Sequence, residues 1–261
     1  MNSAETLFEI DGSIATLTFN RPSARNALTW KMYEALHDAC DRVDEDASVR
    51  VFVLRGAGEQ AFAAGTDIRQ FMAFQGGEDG LQYETRIDAV LDRLACVAVP
   101  TVARVQGIAA GGGCAIAMTC DLRICSPNAS FGVPIARTLG NCLSAASLTR
   151  LLWSIHPSVI KDLLFTGRMM QAEEAYSLGL VTRLLPAYEL DAGIRSLCMT
   201  IAANAPLTIR ASKEILHRLE KQTRPAKEVD ADQIRLCYGS DDFREGVESF
   251  MAKRAPRWKG H

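Results

Sequence analysis

The chain lacks most of the features that mark specialised ligands and locations. Its 29 basic and 31 acidic residues leave a net charge of −2, which gives no electrostatic reason to expect nucleic acid or an anionic membrane as partner. No run approaches the roughly 20 apolar residues that span a bilayer. Residues Met1 to Glu9 show neither the basic segment nor the apolar core of a secretory leader. The eight cysteines, at 40, 96, 114, 120, 125, 142, 198 and 237, form no C-x-x-C and no paired clusters. That pattern argues against a zinc site or a disulfide framework. Several sit among small apolar residues, as free thiols in a reducing cytoplasm do. The sequence has no G-K-S/T and no G-x-G-x-x-G, so neither a P-loop nor a dinucleotide fingerprint is present. The four histidines, His37, His156, His217 and His261, belong to no Ser-His-Asp arrangement. Between Asp92 and Asp162 the only acidic residue is Asp121.

What the chain does have is 48% hydrophobic and 23% charged residues over 261 positions, ordinary for a soluble globular enzyme. The most informative stretch runs from Val105 to Asp121. Branched, mostly apolar residues from Thr101 to Val105 read as a buried strand. Gly111, Gly112 and Gly113 follow, and Cys114 to Cys120 are apolar enough for a buried helix. A strand, three glycines and a helix place bare backbone N–H groups at a helix N-terminus, where they can meet negative charge. The glycines alone are equally explained by tight strand–helix packing. A second stretch, Ala61 to Ile68 (A-F-A-A-G-T-D-I), lies some forty residues earlier.

Together the two stretches resemble the enoyl-CoA hydratase/isomerase (crotonase) family. The likeness recurs from Asn20-Arg-Pro to the carboxyl end. It implies an α/β fold, a crotonase-like spiral of ββα units in two sheets with a helical C-terminal region. It also implies an oxyanion hole for a thioester carbonyl, with the backbone N–H groups of Thr66 and Gly112 as donors. Thr66 stands where the family most often has alanine. The expected partner is an acyl-CoA thioester, with coenzyme A carried as part of the substrate and no separate cofactor or metal. The Ala64 carbonyl is the implied adenine contact; Lys253, with Arg254, Arg257 and Lys259, offers positive charge for the CoA phosphates, although the polar face of a helix explains these residues without that role. The last helices correspond to the family's oligomerisation region, which implies a homotrimer or homohexamer.

The sequence departs from the family at the two glutamates that its hydratases use. Ala115 follows G-G-G-C, and Ile135 follows F-G-V-P, in a segment one residue longer before Leu139-Gly140; allowing for that shift offers only Ala136. Replacement groups are sought in three places. Arg137, Thr138, Asn141, Cys142 and Ser144 lie where the second glutamate's loop should be. Cys114 flanks the glycines. Glu84 and Asp88 share one face of a helix at i,i+4 and could reach in, although a solvated helix face is the simpler explanation of the pair. Asp121 reads as a structural partner. Removing both acid–base groups leaves enolate chemistry in place of efficient hydration. The alternatives are isomerisation, decarboxylation, thioester hydrolysis, or acyl-CoA binding and assembly without turnover.

Along the chain, Leu7–Ile10 and Ile14–Phe19 read as a hairpin, Thr29 as an N-cap, and Trp30–Val43 as a helix. Val49–Leu54 reads as a strand, Gln75–Gly80 as a mobile glycine-rich loop, and Leu81–Leu94 as a helix. Leu122–Cys125 is a strand, Ser130–Ile135 an extended piece before a loop, Cys142–Ile155 a helix and Gly179–Thr182 a strand. Composition shifts near residue 200, which divides a ββα-repeat core with the acyl-CoA site (1–200) from a helical oligomerisation region (201–261).

Overall fold

The computed structural model describes residues 4–225 and 229–261. Met1–Ser3, part of the stretch read for a leader, and Ala226–Glu228, inside the 201–261 region, lie outside the described residues. The chain opens with the hairpin β1 (Thr6–Asp11) and β2 (Ile14–Phe19), turning through Gly12 at φ 60°. Thr29 caps α1 (Trp30–Glu45): its hydroxyl accepts from the Met32 N–H at 3.3 Å, an interaction worth about 1 kcal/mol.

Two full ββα units follow. The first is β3 (Val51–Gly56), β4 (Ala61–Ala63) and α2 (Gly77–Ala95); the second is β5 (Thr101–Val105), β6 (Ile108–Ala110) and α3 (Gly112–Thr119). A third begins with β7 (Leu122–Cys125) and β8 (Ser130–Gly132). Then come α4 (Ile135–Thr138), α5 (Ala145–Ser154), α6 (Pro157–Thr166), β9 (Met170–Gln171), α7 (Ala172–Ser177) and β10 (Arg183–Leu184). Four helices close the chain: α8 (Leu190–Ala202), α9 (Pro206–Gln222), α10 (Ala231–Gly239) and α11 (Asp241–Met251). The first strand of each unit joins a six-stranded sheet, β1-β2-β3-β5-β7-β10, and the second joins a four-stranded sheet, β4-β6-β8-β9. All pairings are parallel except the hairpin and β8–β9.

Alternation along β3 explains its apolar run. Phe52 and Leu54 join the main core, whereas Val51 and Val53 meet Leu190, Ile194 and Leu197 of α8 on the other side of the sheet. Both faces are buried, as parallel sheets require, and each large side chain so buried stabilises the fold by about 1.5–3 kcal/mol.

Several boundaries differ from the sequence expectation. Helix α2 starts at Gly77, inside the stretch read as a mobile loop. The Asp79 carboxylate accepts from the Gln75 and Gly76 N–H groups at 2.7 and 3.2 Å, and the glycines admit α10. A Cβ on Gly77 would lie 2.3 Å from the Arg235 carbonyl oxygen, and one on Gly80 2.2 Å from the Tyr238 ring. The loop expected after β8 holds the one-turn helix α4. Residues 142–144 stay outside α5, which begins after Ser144 because the Ser144 hydroxyl caps it through the Ser147 N–H, 3.1 Å. Strand β10 forms at Arg183–Leu184, beyond the expected Gly179–Thr182, where it pairs with Ile124 and Cys125.

Candidate active site

Strands β4 and β6 are parallel neighbours, Ala61 opposite Ile108 and Ala63 opposite Ala109. Their C-terminal ends therefore deliver Ala64–Asp67 and Gly111–Gly113 side by side. Gly65 has φ 111° and Gly111 φ 49°, a left-handed region that favours glycine. A Cβ on Gly113 would lie 2.1 Å from the Ala63 carbonyl oxygen, so α3 has to start bare.

The backbone of this pair is aimed by its neighbours. Leu28 bridges the Thr66 loop: its N–H donates to the Gly65 oxygen at 2.8 Å, and the Asp67 N–H donates to the Leu28 oxygen at 2.9 Å. Asp67 accepts from Arg69 Nε at 2.9 Å and from Arg21 Nη2 at 3.1 Å. The Arg69 contact is the main cause that holds its carboxyl down at about 2, so the clamp stays ionised. The Ala64 N–H is spent on the Arg25 oxygen, 3.0 Å. Among the described residues, the N–H groups of Thr66 and Gly112 have no backbone or side-chain acceptor. Gly112 is the first residue of α3, where helical N–H groups go unpaired and the helix dipole is positive.

Three hydroxyls crowd this point. The Thr66 side chain meets Tyr33 from α1 at 2.9 Å and Tyr83 from α2 at 2.7 Å. Burial pushes both phenols up, so they stay protonated. Tyr33 was not singled out from sequence; its only signal is its place beside Met32 on the buried face of α1.

The remaining sequence candidates fall into separate groups. Ala115 lines a small apolar cavity with Cys114, Met118, Val133 and Leu143, and Ile135 opens α4, half-buried. Cys114 is buried and its thiol is pushed up to about 12 by burial, which makes it inert. Glu84 does not lie on a solvated face: it is 5% exposed, and burial raises its carboxyl to about 8. It accepts from the Tyr238 hydroxyl on α10, and Asn141 Nδ2 donates to that same oxygen at 2.9 Å. The Asn141 Oδ1 is buried without a partner among the described residues. Asp88, one turn along, is half-buried and accepts from Ser144 Oγ at 2.9 Å. Glu84 and Asn141 are thus brought together by α10, a contact 154 residues apart in sequence for Glu84 and Tyr238.

Other candidates stand apart. Arg137 is exposed on α4 and packs its Cβ against Gly167. Cys142 Sγ faces the Gln233 oxygen at 3.7 Å, and Thr138 Oγ1 is spent on the Pro134 oxygen, 2.9 Å. Lys253 is exposed beyond α11, while Arg254 is paired with Glu245. Asp121 is a structural partner: it accepts from the Thr101 N–H and hydroxyl at 2.7 and 2.9 Å and from Lys213 at 2.7 Å. Arg123 closes the C-terminal end of α3, donating to the carbonyl oxygens of Cys120 and Ala117 at 2.6 and 3.2 Å.

Comparison with known proteins places this geometry. The profile of the enoyl-CoA hydratase/isomerase family matches residues 9–261. A short-chain-enoyl-CoA hydratase of Clostridium acetobutylicum is 31% identical over 255 residues, 97% of each chain. A carnitinyl-CoA dehydratase of Proteus mirabilis is 34% identical over 254 residues, 95% of this chain and 96% of its own. Among solved structures, a methylmalonyl-CoA decarboxylase in complex with 2-nitronate-propionyl-CoA superposes with a TM-score of 0.90 at 25% identity, over 99% of both chains.

Proposed function

Because the chain belongs to the enoyl-CoA hydratase/isomerase family, we propose that it is an acyl-CoA-processing enzyme that stabilises a thioester enolate and hydrates enoyl thioesters poorly. The observation that carries this is the pair of adjacent N–H groups, Thr66 and Gly112, neither of which has an acceptor among the described residues. Negative charge develops on the thioester oxygen as the enolate forms. Preorganised N–H donors meet that charge without reorganising, and one such donor is worth about 3–4 kcal/mol. Poor hydration follows from the alanine and isoleucine at positions 115 and 135, since a positioned acid or base contributes about 10²–10⁴-fold.

Decarboxylation of a malonyl-type thioester is the reaction this arrangement favours. The bond between Cα and the carboxylate breaks, its electron pair enters the enolate, and carbon dioxide leaves; no general base is required. The segment between Asp92 and Asp162 contributes no carboxylate apart from Asp121, which is committed to Thr101 and Lys213. The likeness to a methylmalonyl-CoA decarboxylase supports the same reading. Glu84, held protonated at neutral pH by burial, is the acid this reading assigns to return a proton to Cα, with Asn141 beside it. The Ala64 carbonyl and Lys253 are assigned to the CoA moiety, and no cofactor beyond CoA is called for.

Calorimetric titration with CoA thioesters, followed by a turnover panel, tests the proposal. The panel comprises crotonyl-CoA, methylmalonyl-CoA, a 3-enoyl-CoA and a saturated acyl-CoA. Tight binding with carbon dioxide release from methylmalonyl-CoA is the expected result. Binding without any turnover would make the protein a non-catalytic acyl-CoA-binding or assembly subunit, and fast hydration of crotonyl-CoA would overturn the proposal.

A further inference from the structure

We propose that Cys142 and Cys237 are a redox pair that a hydroperoxide closes to a disulfide, tying α10 to the loop ahead of α5. The inference uses neither the enolate reading nor the two N–H donors.

Position singles out this pair. Cys40, Cys114, Cys120, Cys125 and Cys198 are buried, which makes them inert toward a solvent oxidant. Cys96 is exposed but faces the His217 imidazole at 3.4 Å. Cys142 and Cys237 are both half-buried and lie against each other. Cys142 Sγ is 3.7 Å from the Gln233 oxygen on α10, and in an α-helix that oxygen receives the N–H four residues on, here that of Cys237. The flanking contacts hold this register. Asn141 Nδ2 donates to the Tyr238 hydroxyl at 2.9 Å, and the Ala145 N–H donates to Asp230 at the start of α10. A bond between the two sulfurs would therefore brace, on both its flanks, the Tyr238 hydroxyl that holds Glu84.

The two sulfurs are unequal. Hydrogen bonding between them is the main cause that raises the Cys142 thiol and lowers that of Cys237. The carboxyls of Glu84 and Asp230 further oppose ionisation of Cys142. Cys237 is thus the nucleophile. Its thiolate attacks one peroxide oxygen, the O–O bond breaks, and the departing alkoxide or hydroxide takes up a proton. Cys237 is left as a sulfenic acid, oxidised by the two electrons that reduce the peroxide. Cys142 sulfur then attacks the Cys237 sulfur. The S–S bond forms, the S–O bond breaks, and hydroxide leaves as water with the Cys142 proton. Exchange with a dithiol reverses the closure, as suits a disulfide formed transiently in a reducing compartment.

The test maps the full-length protein by mass spectrometry after reduction and treatment with hydrogen peroxide. The Cys142–Cys237 cross-link should exceed any other cysteine pairing at least tenfold, and dithiothreitol should reopen it. In urea the preference should vanish, because the fold sets it. Cys142→Ser should leave a Cys237 sulfenic acid, which dimedone labels at least tenfold faster than it labels Cys142 in Cys237→Ser. Cross-links to other cysteines, or oxidation of Cys237 beyond the sulfenic acid with no cross-link, overturn the inference. Equal labelling of the two variants also overturns it. Should a serine variant not fold, the cross-link map of the unaltered protein decides alone.

Discussion

The Glu84 carboxyl on α2 accepts a hydrogen bond from the Tyr238 hydroxyl on α10, and both side chains are buried. Burial is the largest cause of the rise in the Glu84 pKa from an ordinary 4.5 to about 8, and Asp88 adds to it. Between those values the folded protein holds a proton that the unfolded chain releases. Stability from this group is thus complete below about 4.5 and is lost as pH rises through about 8.

Glu84→Gln removes that pH dependence while keeping an acceptor for Tyr238. Thermal melts of the two proteins should nearly coincide at pH 5. By pH 9 the variant should be the more stable, by on the order of a few kcal/mol. Parallel melting profiles across this range would show that Glu84 is ionised in the fold at neutral pH.

Gly112→Ala should be destabilising even though alanine is the better helix former. Its Cβ would meet the Tyr33 hydroxyl at 2.2 Å, with the next atom, Thr66 Oγ1, at 3.1 Å. Overpacking of this kind costs about 1–3 kcal/mol. Tyr33→Phe removes the offending atom, so the double variant should recover at least about 1 kcal/mol relative to the sum of the singles. Additive denaturation midpoints would mean that the clash is relieved elsewhere.

The strand–glycine–helix geometry was legible because glycines mark backbone that takes positive φ or passes close to a neighbour, as Gly65 and Gly111 do at φ 111° and 49° and Gly113 does against the Ala63 carbonyl oxygen; assigning the two stretches a role took the family resemblance. The ββα alternation was legible for a similar local reason, since strand runs such as Val51–Leu54 carry their own signal. What escaped was set by distant partners. Gly77 and Gly80 look like loop material until α10 is packed on them, and a tertiary contact overrides their low helix propensity. Glu84 reads as surface because nothing near it in sequence shows Tyr238 arriving from 154 residues away. The hydroxyl cluster draws on α1, the β4 loop and α2, so no single stretch contains it.

Helix α9 buries none of its residues against the described part of its own chain. Leu207, Ile215, Leu216 and Leu219 are 46–77% exposed on it, an apolar surface that calls for a partner. We expect a trimer or hexamer by light scattering at micromolar concentration, and smaller species from Leu216→Glu with Leu219→Glu. A monomeric mass for the unaltered protein would rule this out.

The last expectation concerns the residues at positions 115 and 135. Crotonyl-CoA hydration by the unaltered protein should be very slow, and Ala115→Glu with Ile135→Glu should raise it. Ile135 is the first residue of α4, where a carboxylate is favoured by the helix dipole. Ala115 is half-buried against Val133 and Leu143 in a small cavity whose wall also includes Arg150. Arg150 is already paired with Asp88 and Asp92, so it lends a glutamate there only part of its charge. The gain should be well short of the full effect of two positioned groups, since Ile135 opens the one-turn helix α4, whose orientation sets the angle of the second carboxylate. An error of an ångström costs about 10²-fold. Single-substitution variants assayed beside the double one will show which group limits. No increase in the double variant, with crotonyl-CoA binding retained, would show that the loss of hydration does not lie at these two positions.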